Sequence, residues 1–376
     1  MILRFKDRTF NLNVDAPPSK SVYHRELIVR FLKGYEDELT PDAEDSKDIA
    51  ATKNCLRALR DGTLVLDCNE SGSTLRFMIP VAAAYIHCNK LTGTAVFKTA
   101  GRLYDRPLDA LEVCLKDHGI KIVRDDASRT FSLEGDLTEG TFVIDGSVSS
   151  QYVSGLMMAL MLLEGSDLKV TGELSSIHYI ELTKSIIDKY EDPDGKDLKE
   201  LHIEGDWSGG AFLLSLKELI NGTLNVGNLD RDSVQGDKAI EDYLKACGTD
   251  ELTWDCRDIP DIVPYMAVVA AFRNKVTVFN NIGRLRVKES DRVAAIREQL
   301  QAAGIKTEET EETLTVYGTS GFDNDMITLE SYNDHRMVMS AMLIAAALRC
   351  DLNIDTDAPL DKSFPGLRHI IKEEFS

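Results

Sequence analysis

The sequence predicts an α/β protein assembled from one unit repeated about six times. Three observations carry that prediction. A short polar motif, a small-residue apolar run, a polar turn and a β-like stretch recur in that order. A second, amphipathic class of helix alternates with the apolar runs. Glycines at Gly119, Gly248 and Gly304 close several of these amphipathic segments, where a left-handed helix cap is expected.

Taken along the chain, Pro18-Ser19-Lys20-Ser21 followed by His24–Leu32 is the weakest copy. Ser71-Gly72-Ser73-Thr74-Leu75-Arg76 opens the run Phe77–Ile86, with Lys90 at the turn and a strand expected within Thr94–Thr99. Ser147-Val148-Ser149-Ser150-Gln151 opens Tyr152–Leu163, and Leu168–Thr171 follows as a strand. Asp206–Gly210 opens Ala211–Ile220, then Thr223–Val226. Pro260-Asp261 opens Ile262–Phe272, then Val276–Phe279. Asn333-Asp334-His335-Arg336 opens Met337–Leu348, then Leu352–Ile354. The amphipathic helices are expected over Lys47–Leu59, Pro107–His118, Tyr179–Tyr190, Lys238–Ala246, Ser290–Ala303 and Gly366–Phe375. Their apolar residues fall at helical spacing, as in Leu108, Leu111 and Leu115 or Val293, Ile296 and Leu300. Two-stranded excursions are expected after Gly119, pairing Phe131–Leu133 with Thr141–Ile144, and after Gly304, pairing Thr313–Tyr317 with Met326–Leu329. After Tyr190 and Gly248 there is room only for Leu201–Ile203 and Glu251–Cys256, so those two units are shortened.

With 376 residues, 43% of them hydrophobic, the chain can build two well-packed domains. A net charge of −20 opposes general nucleic-acid binding and docking on anionic lipid. An anionic ligand therefore requires positive charge gathered in one cleft against an acidic exterior. The seven cysteines form no C-x-x-C pair, the first residues carry no apolar secretory segment, and no apolar run is long enough to span a bilayer. A soluble cytoplasmic protein is expected, and a metal-independent one, because the histidines show no ligand spacing.

Polar motifs at the starts of buried helices place backbone N–H groups and the positive end of the helix dipole where an anion can bind. Lys20, Ser21 and Arg25 add an ammonium, a hydroxyl and a guanidinium at one such start, a mix suited to phosphate or carboxylate. Gly72 permits close backbone approach, with Arg76 one turn on; Arg102 and Arg106 are spaced at i,i+4. Ser149, Ser150 and Gln151 supply more hydroxyls and amide than a cap needs. Arg286-Val287-Lys288-Glu289-Ser290-Asp291-Arg292 is the densest charge cluster, and a lysine beside a glutamate can form a proton-transfer pair when partly buried. Asp261 and Arg336 stand at the mouths of other apolar helices, and Lys362 adds one more cation near the end of the sequence. Each motif alone also suits an ordinary capped or ion-paired helix start.

Together and in this order, Pro18–Arg25, Ser71–Arg76, Arg102–Pro107, Gly146–Gln151, Pro260-Asp261, Arg286–Arg292, Asn333–Met337 and Lys362-Ser363-Phe364-Pro365 resemble the 5-enolpyruvylshikimate-3-phosphate synthases, essentially end to end. The resemblance implies a two-domain inside-out α/β barrel, the enolpyruvyl transferase fold, with three βαβαββ-type units per domain. It implies one domain from residues 1–19 and 205–376 and another from 20–204. The implied reaction transfers the enolpyruvyl group of phosphoenolpyruvate to the 5-hydroxyl of shikimate 3-phosphate through a tetrahedral ketal, in a monomer that needs no cofactor. By match, Ser21, Arg25, Ser149, Ser150, Gln151, Ser176, Tyr179 and Lys288 hold shikimate 3-phosphate. Lys20, Arg106, Arg292, Arg336 and Lys362 clamp phosphoenolpyruvate, with Gly72 against it. Asp261 orients or deprotonates the attacking hydroxyl, and Glu289 with Lys20 moves the proton at the methylene carbon. Domain closure is expected to assemble these groups and exclude water.

The chain departs from the family pattern at Glu70, where an amide is usual, at Arg284, often Asn, and in the shortened units after Tyr190 and Gly248. Two other readings compete: a related enolpyruvyl transferase acting on UDP-N-acetylglucosamine, and a non-catalytic anion-binding homologue. The Ser-Val-Ser-Ser-Gln and Asn-Asp-His-Arg motifs count against the first. Replacement of Glu289 separates the second, which has no turnover to lose.

Overall fold

Each apolar run of the sequence becomes a helix buried on nearly all sides, and most of these helices cross over between two parallel strands. The computed structural model describes residues 1–35, 39–43, 45–172, 174, 177–191, 198, 200–273, 275–319 and 325–376. The chain divides into two units, Met1–Ser19 with Glu204–Ser376, and Lys20–Ile203.

The first strands, β1 (Ile2–Leu3) and β2 (Phe10–Asp15), belong to the discontinuous unit. The continuous unit then runs through α1 (Lys20–Leu32), α2 (Lys47–Arg60), β3 (Val65–Asp67), α3 (Gly72–Asn89), β4 (Val96–Lys98), α4 (Asp109–Asp117), β5 (Lys121–Asp125), β6 (Thr130–Glu134), β7 (Thr141–Asp145), α5 (Ser150–Leu160), β8 (Asp167–Thr171) and α6 (Ile177–Glu191). Strands β3 and β4 are parallel, with Val65 opposite Val96, and α3 connects them; β7 and β8 are parallel, with α5 between. Strands β6 and β5 extend the first sheet antiparallel, in the order β3-β4-β6-β5. The two buried helices α3 and α5 pack with backbone almost in contact. A Cβ on Gly155 would lie 2.7 Å from the Arg76 carbonyl oxygen and 3.2 Å from Phe77 Cα, so a larger residue there would force them apart.

The discontinuous unit resumes with α7 (Trp207–Leu219), β9 (Gly222–Gly227), α8 (Ile240–Ala246), β10 (Glu251–Asp255), α9 (Val263–Arg273), β11 (Val276–Asn280), α10 (Arg292–Ala302), β12 (Thr307–Glu309), β13 (Thr313–Tyr317), β14 (Met326–Leu329), α11 (His335–Leu348), β15 (Asp351–Ile354) and α12 (Pro365–Glu374). The order β10-β11-β13-β12 repeats that of β3-β4-β6-β5, with the same parallel and antiparallel pairings. Here α9 connects the parallel pair β10–β11 and α11 the pair β14–β15. Strand β2 lies parallel to β9 over six residue pairs, Phe10 opposite Gly222 through Asp15 opposite Gly227. A helix that bridges parallel strands begins beyond the end of the first strand, which is why the polar motifs before α3, α5, α9 and α11 stand at strand–helix junctions.

The excursions after Gly119 and Gly304 differ from expectation. Strand β6 pairs with β5 and β4, not β7, and β13 pairs with β12 and β11, not β14. The missing partners, Lys121–Asp125 and Thr307–Glu309, are charged edge strands whose composition hides them. Residues 201–203 form no strand, and most of 192–199, where that unit is shortened, lie outside the described residues. The expected caps hold: Gly119 has φ +84° and Gly304 φ +76°. Among the described residues no helix is long and apolar enough to cross a membrane.

Candidate active site

In the continuous unit one buried cation is held by neutral partners. Arg25, on α1, is 2% exposed. It donates from Nε to Thr183 Oγ1 (2.6 Å), from Nη1 to the Ser21 carbonyl (2.7 Å), and from Nη2 to the Tyr179 carbonyl (3.1 Å) and Ser154 Oγ (3.3 Å). Its guanidinium carbon lies 4.9 Å from the Phe77 ring centre. Burial without a carboxylate pushes its pKa down to about 10, so an incoming anion would relieve it. Lys20, the first residue of α1, pairs with Asp48 Oδ2 at 2.8 Å.

A second nest surrounds the start of α3. Gly72 is the first residue of that helix and Ser71 its cap, accepting from the Thr74 N–H at 3.2 Å. A Cβ on Gly72 would sit 2.5 Å from Arg106 Nη1 and 3.0 Å from Arg76 Nη1. Two guanidinium groups therefore converge on one helix N-terminus, an arrangement that like charges resist unless an anion joins them. The Nε of Arg106 is buried without a partner among the described residues. Gln151 steadies Arg76, accepting from Nη1 at 2.9 Å while donating to Ser73 Oγ at 2.9 Å. Ser149 caps α5 through the Gln151 N–H at 3.3 Å, and Ser150 is buried beside it. Ser21 and Tyr179 are half-buried, and Ser176 lies outside the described residues.

The discontinuous unit is different: its cations are already matched by carboxylates. Arg292, 1% exposed, opens α10. It donates to Asp334 from Nε (2.8 Å) and Nη2 (3.3 Å), to Asp261 from Nη1 (2.8 Å) and to Glu289 from Nη2 (2.5 Å). Burial pushes its pKa down, but Asp334, Glu289 and Asp261 together outweigh that and raise it. Asp261 also receives Lys288 Nζ at 3.3 Å and lies 3.7 Å from Arg336 Nε. Burial, reinforced by Arg292 and Arg284 and opposed by Asp261, pushes the Lys288 ammonium down to about 8. Arg336 donates to the Tyr265 hydroxyl at 3.3 Å. An anion entering this cluster would exchange with internal carboxylates rather than fill an empty positive pocket.

The same contrast holds at the helix starts. Ser71 and Ser149 cap α3 and α5 with neutral hydroxyls, whereas Asp206 and Asp334 cap α7 and α11 with carboxylates. At α7 and α11 an aspartate of the chain itself already occupies the positive end where the sequence suggested an anion could bind.

Asp261, Lys288, Glu289, Arg292 and Arg336 come together, as do Gly72, Arg106 and Gln151 around Arg76. Lys362 ends a 3-10 turn, Ala358–Lys362, that packs on α11. Arg102 is exposed, and Arg286 binds Asp291, Glu309 and the Thr310 carbonyl at the edge of the cluster. Two carboxylates escaped the sequence reading. Asp48 holds Lys20, and Asp237, 4% exposed, has its carboxyl pushed up to about 7 by burial and then Asp261, against the pull of Arg336. Each stands in or beside the first turn of an amphipathic helix, where an acid reads as an ordinary dipole partner.

The comparisons with known proteins agree with one another. A family model described as EPSP synthase (3-phosphoshikimate 1-carboxyvinyltransferase) matches residues 43–256 and 248–371. The 3-phosphoshikimate 1-carboxyvinyltransferase of Clostridium kluyveri is 32% identical over 94% of the chain and 92% of its own length. That of Clostridioides difficile is 30% identical over 96% and 94%. Among solved structures, an EPSP synthase from Acinetobacter baumannii superposes with a TM-score of 0.70 at 18% identity, covering 100% of this chain and 97% of that one. The enolpyruvyl transferase NikO from Streptomyces tendae gives 0.67 at 12% identity, with the same coverage of 100% and 97%. These structural likenesses establish the fold.

Proposed function

The chain belongs to the EPSP synthase family, and from that premise we propose how its own residues carry the family's reaction. It is a transferase of the shikimate pathway, moving the enolpyruvyl group of phosphoenolpyruvate to shikimate 3-phosphate with release of phosphate. Ser21, Arg25, Ser149, Ser150, Gln151, Ser176, Tyr179 and Lys288 hold shikimate 3-phosphate. Lys20, Gly72, Arg106, Arg292, Arg336 and Lys362 hold phosphoenolpyruvate.

In the first step the 5-hydroxyl oxygen bonds to C2 of phosphoenolpyruvate while its proton passes toward Asp261, and C3 gains a proton from Glu289 or Lys20. In the second, C3 returns a proton as the C2–O bond to phosphate breaks, leaving the enol ether and free phosphate. One observation carries this assignment. Asp261 and Glu289 share the planar Arg292 guanidinium, at 2.8 Å from Nη1 and 2.5 Å from Nη2, so one rigid group sets the spacing of both carboxylates. Asp261 also touches Lys288, a proposed ligand of the shikimate 3-phosphate that bears the attacking hydroxyl.

The chain is proposed to act as a cytoplasmic monomer on small-molecule substrates alone. The test is phosphate release from phosphoenolpyruvate by the purified protein, with and without shikimate 3-phosphate. Release that depends on shikimate 3-phosphate supports the assignment; a folded protein that releases none overturns it.

A further inference from the structure

A file of buried polar side chains runs from α1 through α2 to the start of α3. His24 Nδ1 lies 2.7 Å from Thr52 Oγ1, which lies 2.7 Å from Thr74 Oγ1, which lies 2.7 Å from Ser71 Oγ. All four residues are at most 1% exposed. Thr74 Oγ1 is also 3.3 Å from the carbonyl of Asp48, whose carboxylate holds Lys20. None of the four has a part in the reaction as assigned above.

The protons in this file have one favoured direction. His24 Nε2 is buried without a partner among the described residues. An unmatched lone pair costs less than an unmatched N–H, so the proton belongs on Nδ1 and is donated to Thr52. The ring is neutral, because burial and then Lys20 and Arg25 push its pKa well below the usual histidine value. Thr52 then donates to Thr74, and Thr74 donates to Ser71. Ser71 Oγ thus receives both the Thr74 hydroxyl and the Thr74 backbone N–H. Held from two sides, it fixes the cap of α3 and the backbone of Gly72, on which Arg106 rests.

We infer that His24, Thr52 and Thr74 are positioning residues for the phosphoenolpyruvate clamp: their hydrogen-bond relay sets Ser71, and through Gly72 the place of Arg106. This rests on the function proposed above for the identity of the anion. Such a relay acts on one substrate and leaves the Arg25 nest alone.

Two measurements test it. In the wild-type protein, the nitrogen chemical shifts of the His24 ring should report the Nδ1–H tautomer at neutral pH; the Nε2–H tautomer overturns the relay. Thr52→Val keeps the volume and deletes the hydroxyl. It should raise KM for phosphoenolpyruvate about tenfold, as loss of one buried hydrogen bond implies. The affinity for shikimate 3-phosphate should stay within about twofold, and Thr52→Ser should restore KM. An unchanged KM, an equal loss for both substrates, or no rescue by Ser overturns the inference. Should Thr52→Val fail to fold, the wild-type tautomer decides. Absence of turnover in the wild type would overturn the functional reading instead, and the tautomer would still decide the relay.

Discussion

Asp334 grips Arg292 with both oxygens, Oδ2 accepting from Nε at 2.8 Å and Oδ1 from Nη2 at 3.3 Å, and neither side chain is more than 1% exposed. The same carboxylate accepts the Arg336 N–H at 2.9 Å and the Ser290 hydroxyl at 3.0 Å. It therefore caps α11 and fixes the first residue of α10 at once. Burial pushes its pKa up, but Arg292 outweighs this and holds the carboxyl below its ordinary value.

Asp334→Ala removes the cap and one of three anions on a buried guanidinium. A loss of about 3–5 kcal/mol is expected in urea unfolding, the range for breaking a buried ion pair from one side. Asp334→Asn, which retains an acceptor for the cap, should lose less. Because the native pKa is depressed, this stabilisation is present above the unfolded pKa and disappears as pH falls through the native one, so the two proteins converge in acid.

Gly72→Ala should act on the ligand and spare the fold. Its Cβ would meet Arg106 Nη1 at 2.5 Å, the far end of a flexible side chain that can withdraw. Stability should change by less than about 0.5 kcal/mol. Steady-state kinetics should show KM for phosphoenolpyruvate rising at least about tenfold, with a displaced anion-binding donor costing up to about 4 kcal/mol. Equal loss of shikimate 3-phosphate affinity would count against this placement.

Lys288 should make substrate binding take up protons. Its native pKa of about 8 lies below the usual lysine value, so above pH 8 the empty protein holds it neutral. Stability accordingly rises with pH between the native and unfolded pKa values, since there the unfolded chain binds the extra proton. A bound phosphate or carboxylate favours the ammonium, so affinity for shikimate 3-phosphate should fall as pH climbs above 8, by at most about tenfold per pH unit. Calorimetry in buffers of different ionisation heat should find proton uptake in the wild type and none in Lys288→Met.

Glu289→Gln separates an enzyme from a binding protein. Shikimate 3-phosphate should bind within about twofold of the wild type, while phosphate release falls about 10²–10⁴-fold, the usual worth of a general acid–base group. Activity that survives this substitution would remove Glu289 from the proton pathway.

What could be read from sequence was what repeats or what is chemically expensive. Small-residue runs such as Met337–Leu348 have one economical home, a fully buried helix, and α11 is such a helix. Apolar segments frame Lys288, Glu289 and Arg292, which made their place at an edge of the fold legible, whereas their meeting with Asp261 was implied only by the family resemblance. Strand pairing was not legible. Lys121–Asp125 carries charge on an edge, and the partner of Thr141–Asp145 is set by a crossover helix rather than by the neighbouring turn. The bond between Thr52 and Thr74 was invisible for another reason: a threonine facing inward from a helix does not reveal its partner on a second helix.

The pairing of β2 with β9 bears on how the protein is made. Phe10 reaches the ladder only when Gly222 has been synthesised, and a Cβ on Gly222 would lie 2.0 Å from the Phe10 carbonyl, so the fit admits no bulkier residue. Ile2 waits longer still, for Asn353. On the ribosome the first two strands must stay open and unmatched while Lys20–Ile203, a compact unit of its own, can begin to fold as it emerges. The vulnerable interval in the life of this protein therefore belongs to β1 and β2, exposed to any stray strand until β15 and β9 arrive.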